Sequence, residues 1–413
     1  MVVMLLALGT LLPTYVRARR LTTAPLPPAP TVTTLSMAGT FAVDTTTGRA
    51  YVNKGDSVDV VDTVTGKQLR TIPWPAYQIE TIMLDPRTEH IFIAGEESGS
   101  VGILDSRTGV TRTVRLRPYD AARLLAVDSA AGRVYVASTR TCRIGPCTPD
   151  AIEMLDARTG AVLRTIRPAT GVVALDPHAQ RVIIAYAAFD RNMSIIAIVD
   201  VYDQRSGRLL RRTRLATHGV GGLPVVNTVT SRAFVILYAP TGYPEEPRIA
   251  PHPLALLATR AGGLVRTLRL APGAVDLALD ARANRLFATT YGTGLNTGPV
   301  GTGQLYTMDA SNGTILRNQP IGPATTAVVV DGARERVYVA SAGQLDASTS
   351  YKGLGTLTVL SERTGTVLRQ VSIPMGPAQL ILDAPHQRLL VACSGRDPRG
   401  GPATISILDT SHL

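Results

Sequence analysis

"LDARTGAVLRTI", residues 155–166, sets an Asp, a Thr-Gly pair and an Arg between two aliphatic runs. Taken alone it is a small charged cluster that invites a chemical reading. Along the whole chain it is one copy of a repeat, and self-similarity at a fixed period takes precedence over any local reading. An Asp with a Gly four positions on recurs as Asp62/Gly66, Asp105/Gly109, Asp156/Gly160, Asp203/Gly207 and Asp309/Gly313, with degenerate copies at Ala258/Gly262 and Ser361/Gly365. Four residues beyond the Gly stand Arg70, Arg164, Arg211, Arg266, Arg317 and Arg369. A catalytic residue is needed once, whereas a turn is needed in every repeat. Asp in these copies accepts turn N–H groups, Gly supplies the positive φ of a tight hairpin, and Arg guards an outer strand against edge pairing.

A second element precedes each copy. An Asp or Asn is followed five residues later by a basic residue that opens a β-rich run, as in "VDSAAGRVYVAS" (127–138) and "VDGARERVYVAS" (330–341). The pairs are Asp44/Arg49, Asp85/His90, Asp128/Arg133, Asp176/Arg181, Asn227/Arg232, Asp280/Arg285, Asp331/Arg336 and Asp383/Arg388. Each unit, 41 to 53 residues long, then reads as four strands: A ("LLAVD"), B ("RVYVAS"), C ("IEMLD") and D ("AVLRTI"). The 37 Gly and 28 Pro, against 5 Phe and 1 Trp, fit many short strands joined by turns. Short connections make neighbouring strands antiparallel, and beyond the N-terminus nothing longer than about ten residues has helical periodicity. The pattern predicts an all-β fold, a β-propeller of four-stranded antiparallel blades.

Eight units predict eight blades; seven is the alternative if Val226–Leu268 is an insertion. The last unit stops at Leu413 without its strand D, and "TVTTLSM" (31–37) precedes the first strand A. That segment is expected to complete the last blade and close the ring, removing its exposed edges. The propeller is thus expected over 31–413, after a 1–20 leader and a Pro-rich spacer at 21–30.

"YVNKGDSVDVVDTVTGKQLRTI" (51–72) resembles the repeat of the YVTN-repeat, YncE-like β-propellers: a YVTN-like strand, then a strand ending in Asp and a Thr-Gly turn. The resemblance covers roughly residues 38–413. It implies the propeller fold and a binding role, and it identifies no catalytic residue.

The net charge of +11 points toward nucleic acid or an anionic surface. Yet 13 Arg fall on the two repeated positions, spread around the ring, and the only Lys are Lys54, Lys67 and Lys352. No RNA-binding signature or basic-aromatic stripe appears, so nucleic acid stands as the third reading of function.

Strand direction places the A–B and C–D turns on one face and the B–C and D–A loops on the other. The second set differs in every blade, and variable loops on a rigid scaffold carry function. It contributes Trp74, Tyr77, Tyr119, Tyr186, His218, Tyr238, Tyr243, Tyr291 and Tyr351 as candidate ligand-binding residues. Asp190, Glu245, Glu246, His252 and Asp346 form an oxygen-rich candidate metal set that suits Ca²⁺, although their spacing matches no EF-hand or zinc motif. His90, His178 and His386 lie in the A–B turns and read as structural. No other cofactor is expected. Nucleophile elbow, Walker A and HExxH motifs are absent from the sequence.

Cys142 and Cys147 bracket a Gly-Pro turn, a spacing that suits a small disulfide or a reduced pair, with Cys393 left over. The first 16 residues are uncharged, the length of a signal-peptide apolar region, with Arg17, Arg19 and Arg20 after it. Export is expected, periplasmic, extracellular or membrane-tethered through this segment alone. The leading expectation is a monomeric binding scaffold for a protein, peptide, glycan or small molecule at the variable face. The alternative is a propeller enzyme of lactonase or quinoprotein type at the channel mouth.

Overall fold

The computed structural model describes residues 26–413 except 75–78, 96–98, 117–120, 140–150, 167–171, 190–194, 216–218, 239–252, 272, 293–301, 343, 346–350 and 395–402. The leader falls outside these residues, as do Cys142 and Cys147.

Eight four-stranded antiparallel sheets follow one another along the chain. Blade 3 shows the plan: strand A (Ala121–Asp128), B (Arg133–Thr139), C (Ala151–Asp156) and D (Val162–Ile166) pair in sequence order. The strand-A Asp faces the strand-B Arg across the first hairpin, Asp128 opposite Arg133, and Arg133 in turn faces Asp156. The unit at Gly219–Arg269 is a complete blade, which makes the count eight rather than seven. Blade 8 takes its outer strand from the N-terminus: Thr31–Ser36 pairs antiparallel with Thr404–Asp409. The end of the Pro-rich spacer also touches the ring, because Ser372 of blade 7 donates its N–H to Pro27 and accepts from Ala29.

Strands B and C are buried on both faces, since each blade is stacked between two others, and so they read as near-continuous apolar runs. Eight clusters of buried aliphatic and aromatic side chains occupy the junctions between successive blades, and the cluster of Phe41, Val52, Leu390 and Ile407 closes the ring between blades 8 and 1. Strand D is the solvated edge, as in the exposed Val162–Thr165.

The repeated polar residues each have a structural task. Asp156 Oδ1 accepts from the N–H groups of Arg158 (3.1 Å) and Thr159 (2.7 Å) and from the Thr159 hydroxyl (2.8 Å). That hydroxyl, with the two N–H groups, holds the Asp156 carboxyl below its ordinary range. The strand-D Arg does more than guard an edge. Arg112, Arg266 and Arg369 donate to turn carbonyls of the next blade, at Arg158 (2.6 Å), Asn312 (3.3 Å) and His412 (2.5 Å). Arg164 lies across Gly207 of the next blade, where a Cβ would stand 2.2 Å from Arg164 Cδ. The strand-B basic residue reaches the same neighbour: Arg232 donates to Ser311 O (3.1 Å) and Arg285 to Glu362 O (2.8 Å). Arg388 donates to Thr63 O (3.1 Å) and Val64 O (3.1 Å), carrying the lattice across the closure. Ten of the thirteen repeated arginines therefore reach a neighbouring blade, and the basic excess is distributed with them.

Candidate functional site

Three places could hold a ligand: the axial channel, the variable face and the turn face. In the channel, the inner strands of blades 1, 2, 3 and 8 border a cavity of about 480 Å³, lined mainly by Val43, Ile82, Met83, Ala126, Val127 and Ile381. Its polar groups include Thr40, Thr81, Gln379 and, at the turn end, Asp44. Asp44 is committed to its own hairpin, accepting from the Thr46 N–H (2.9 Å) and the hydroxyls of Thr46 (2.6 Å) and Thr47 (2.6 Å). Among the described residues no His, Cys or Glu lines this cavity, and they supply no acid–base pair. The wall suits a small apolar or weakly polar ligand, or water.

One inner-strand carboxylate stands outside the repeat. Asp276 of blade 6 (strand A, Ala274–Asp280) sits at a register shift and accepts from its neighbour Leu277 N–H (2.9 Å) and from Val328 N–H of blade 7 (2.9 Å). Burial pushes its carboxyl up to about 6 despite those two donors. It stitches two inner strands together. Its signal in the sequence is position: four residues before the strand-A Asp, where the corresponding residues are Thr40, Thr81, Leu124, Val172, Leu223, Ala327 and Gln379.

The candidate aromatics divide into three groups. Trp74, Tyr186 and Tyr291 are interior side chains, 3%, 4% and 5% exposed. Trp74 lies over Gly102 between blades 1 and 2, where a Cβ would meet the indole at 1.8 Å. Tyr186 belongs to strand B of blade 4 (Arg181–Phe189), not to a loop, because that strand and its partner Ile195–Asp203 run longer than the B–C pattern suggests. Tyr291 packs against Ala324 and Ala342 of blade 7. Burial gives these three rings packing roles in place of the exposed rim positions expected of them. Tyr238 ends a strand (Arg232–Tyr238), and Tyr351 starts a two-residue strand paired with Gln344–Leu345. Tyr77, Tyr119, His218 and Tyr243 lie outside the described residues, as do Asp190, Glu245, Glu246, His252 and Asp346. Among the described residues no group of three His, Cys, Asp or Glu side chains is placed to hold a metal ion.

Tyr186 owes its position to a buried charge. Asp200, a fully buried carboxylate in strand C, accepts two parallel bonds from Arg212 (2.8 Å each) and one each from the hydroxyls of Tyr186 (3.2 Å) and Tyr202 (3.1 Å). Burial and the adjacent carboxylate push the Tyr186 hydroxyl up to about 12. The same strand position bonds strand D elsewhere: Asp59 with Thr71, Glu153 with Thr165, Thr358 with Gln370 and Ser406 with Thr34. Asp200 is the charged member of a structural ladder and has its acceptors filled. Cys393, the remaining cysteine, is buried, and desolvation pushes its thiol up to about 12, away from thiolate reactivity.

On the turn face one carboxyl pair breaks the pattern. Glu362, 2% exposed, follows strand C of blade 7 (Gly355–Ser361) and faces Asp280 of blade 6. Arg285 Nη1 stands 3.9 Å from its carboxylate. Burial and then the Asp280 charge push Glu362 up to about 7. A Glu in a position that blades 1 and 5 give to Thr63 and Thr259 is visible in the sequence, but what it faces is not.

No protein-family model matches the chain, and no curated protein matches it in sequence. Among solved structures it is similar to BamB from Moraxella catarrhalis, at 15% identity over 92% of this chain and 99% of that one, with a TM-score of 0.60. It is also similar to a chain of Kuenenia stuttgartiensis hydrazine synthase, at 15% identity over 84% of this chain and 99% of that one, with a TM-score of 0.53. At such identity what the three chains share is the fold, a closed ring of four-stranded blades.

Proposed function

We propose that this protein is an exported interaction scaffold, of YVTN-like repeat type, that binds a protein, peptide, glycan or small molecule through its B–C and D–A face. The observation that carries the reading is the difference between the two faces. On the turn face most of the repeated Asp and Arg side chains are engaged with turn N–H groups and neighbouring carbonyls. The B–C connections carry no repeated residue and range from three residues between Asn53 and Ser57 to the long segment between Tyr238 and Pro253. A scaffold whose rigidity comes from one face leaves the other free to vary without cost to the ring. The likeness to a BamB propeller is compatible with a partner-binding role, and the apolar N-terminal run supports export.

The test is capture by the purified full chain, by a chain with residues 239–252 replaced with a Gly-Ser linker, and by Arg87→Ala/Arg363→Ala on the turn face. A partner lost on loop replacement and retained by the turn-face variant supports the proposal. A partner retained by the loop variant and lost with the turn-face changes overturns it.

A further inference from the structure

The junctions at the turn face follow a rule, and one departs from it. In blades 1 and 5 the residue after strand C donates its hydroxyl to the strand-A Asp of the preceding blade: Thr63 to Asp383 (2.9 Å) and Thr259 to Asp176 (2.5 Å). Seven junctions carry at least one side-chain bond of this kind or one from the preceding blade's basic residue, between blades 8 and 1, 1 and 2, 2 and 3, 4 and 5, 5 and 6, 6 and 7, and 7 and 8. Between blades 3 and 4, among the described residues, none is made at the turn face.

Gln204 takes the Thr position there. It is 1% exposed, and neither its Nε2 nor its Oε1 has a hydrogen-bond partner. Asp128, 2% exposed, spends Oδ1 on the Ala131 N–H (3.0 Å) and leaves Oδ2 without a donor. Nη1 of Arg133 is buried and likewise unpartnered. A cavity of about 330 Å³ opens at this junction, lined by Gln204, Arg205, Arg133, Gln180, Pro177 and the Ala130–Ala131 turn that Asp128 caps. Each buried unsatisfied polar group costs about 1–3 kcal/mol. A ring that has a Thr solution for the same position has no packing reason to carry three of them side by side.

We infer that the junction between blades 3 and 4 binds a neutral polyol of monosaccharide size. Asp128 and Arg133 are direct partners across one hairpin, so their charges offset each other; Arg205, the other cation of the lining, is exposed and screened by solvent, so an ionic ligand finds little uncompensated charge inside the junction. What remains is a mixed set, with Asp128 Oδ2 and Gln204 Oε1 as acceptors and Arg133 Nη1 and Gln204 Nε2 as donors. A hydroxyl donates and accepts at once, so vicinal hydroxyls satisfy such neighbours with no group left over. Pro177, Ala130 and Ala131 offer apolar wall to the C–H face of a ring. The volume sits at the lower end of the roughly 300–1,000 Å³ range of small-molecule sites. The site lies on the face opposite the proposed partner loops, and the inference stands independently of them.

The experiment is saturation-transfer NMR of the full chain with D-glucose, D-galactose, D-mannose and myo-inositol, repeated with Gln204→Thr. That variant installs the residue that closes the junctions at Thr63 and Thr259. At least one probe is expected to show transfer, weakened about tenfold or more by Gln204→Thr as two hydrogen bonds are lost, and unchanged by Glu362→Thr at the corresponding position of another junction. Should Gln204→Thr fail to fold, Arg133→Lys carries the same expectation, because a lysine does not reproduce the guanidinium's fixed donors. Absence of transfer from all four probes, equal binding by the variants, or a crystal in which ordered water alone fills the junction after soaking with sugar overturns the inference.

Discussion

Glu362 makes the stability of the ring depend on pH in a direction opposite to that of its turn aspartates. In the fold its carboxyl is pushed up to about 7 by burial and by Asp280, against an ordinary value of 4.5. The folded state therefore holds that proton more tightly than the unfolded chain does. Below about pH 4.5 the group is protonated in both states and costs nothing. As pH rises from 4.5 through 7 the unfolded chain releases its proton first, so stability falls, and above 7 the loss is complete. The gap corresponds to about 3 kcal/mol, at about 1.4 kcal/mol per tenfold change in proton affinity. The value of about 7 already includes the lowering by Arg285 at 3.9 Å, which Asp280 and Glu335 oppose. Glu362→Thr installs the residue found at positions 63 and 259 and replaces a carboxyl–carboxyl contact with a hydroxyl donor. Urea unfolding followed by circular dichroism at pH 5, 6, 7 and 8 should show the variant gaining on the parent with each step, by up to about 3 kcal/mol at pH 8. Stability differences that stay constant across this range would refute the reasoning.

Other parts of the ring yield further expectations. Arg212→Leu strands the fully buried Asp200 carboxylate and should cost about 3–5 kcal/mol, whereas Asp200→Asn keeps partial bonding to both tyrosines and should cost less; urea midpoints in the reverse order would contradict the assignment of Asp200 as the ladder's charged member. Gly102→Ala drives a Cβ into the Trp74 indole and should cost about 1–3 kcal/mol by overpacking. Because Trp74 is the only tryptophan, a shifted emission maximum in the folded variant reads the displacement directly, and an unchanged spectrum with unchanged stability would refute it. Removal of residues 1–36 leaves Thr404–Asp409 as an unprotected apolar edge and should produce concentration-dependent association in light scattering, which removal of residues 1–26 should not.

Which parts of this fold were legible in the sequence follows from what repetition can encode. The offsets Asp128/Arg133 and Asp156/Gly160 announce hairpins because a hairpin is a local object, and its register is set by the turn. The missing last strand was readable for the same reason: seven complete hairpins define what the eighth lacks. Local patterns were less able to assign individual loop residues. Tyr186 looked like a loop aromatic because the B–C boundary of blade 4 is blurred by "AYAAF", and only pairing with Ile195–Asp203 shows the strand continuing past it. Trp74 follows a strand-D end and reads as a loop residue until Gly102 of the next blade is seen beneath it.

The sequence alone determined the architecture: eight copies of a turn code, the strand order within each blade, and the borrowed strand at Thr31–Ser36 that closes the ring. What only the tertiary structure decided lies between blades. Residues in contact there are separated by a whole repeat, as with Arg285 and Glu362 or by almost the whole chain, as with Arg388 and Thr63. One repeat's pattern carries no information about which atom of the next repeat it will meet. For that reason the strand-D arginines proved to be blade clasps as well as edge guards. It is also why Gln204, an unremarkable turn residue in the sequence, proved to face an unfilled polar junction once blades 3 and 4 were set side by side.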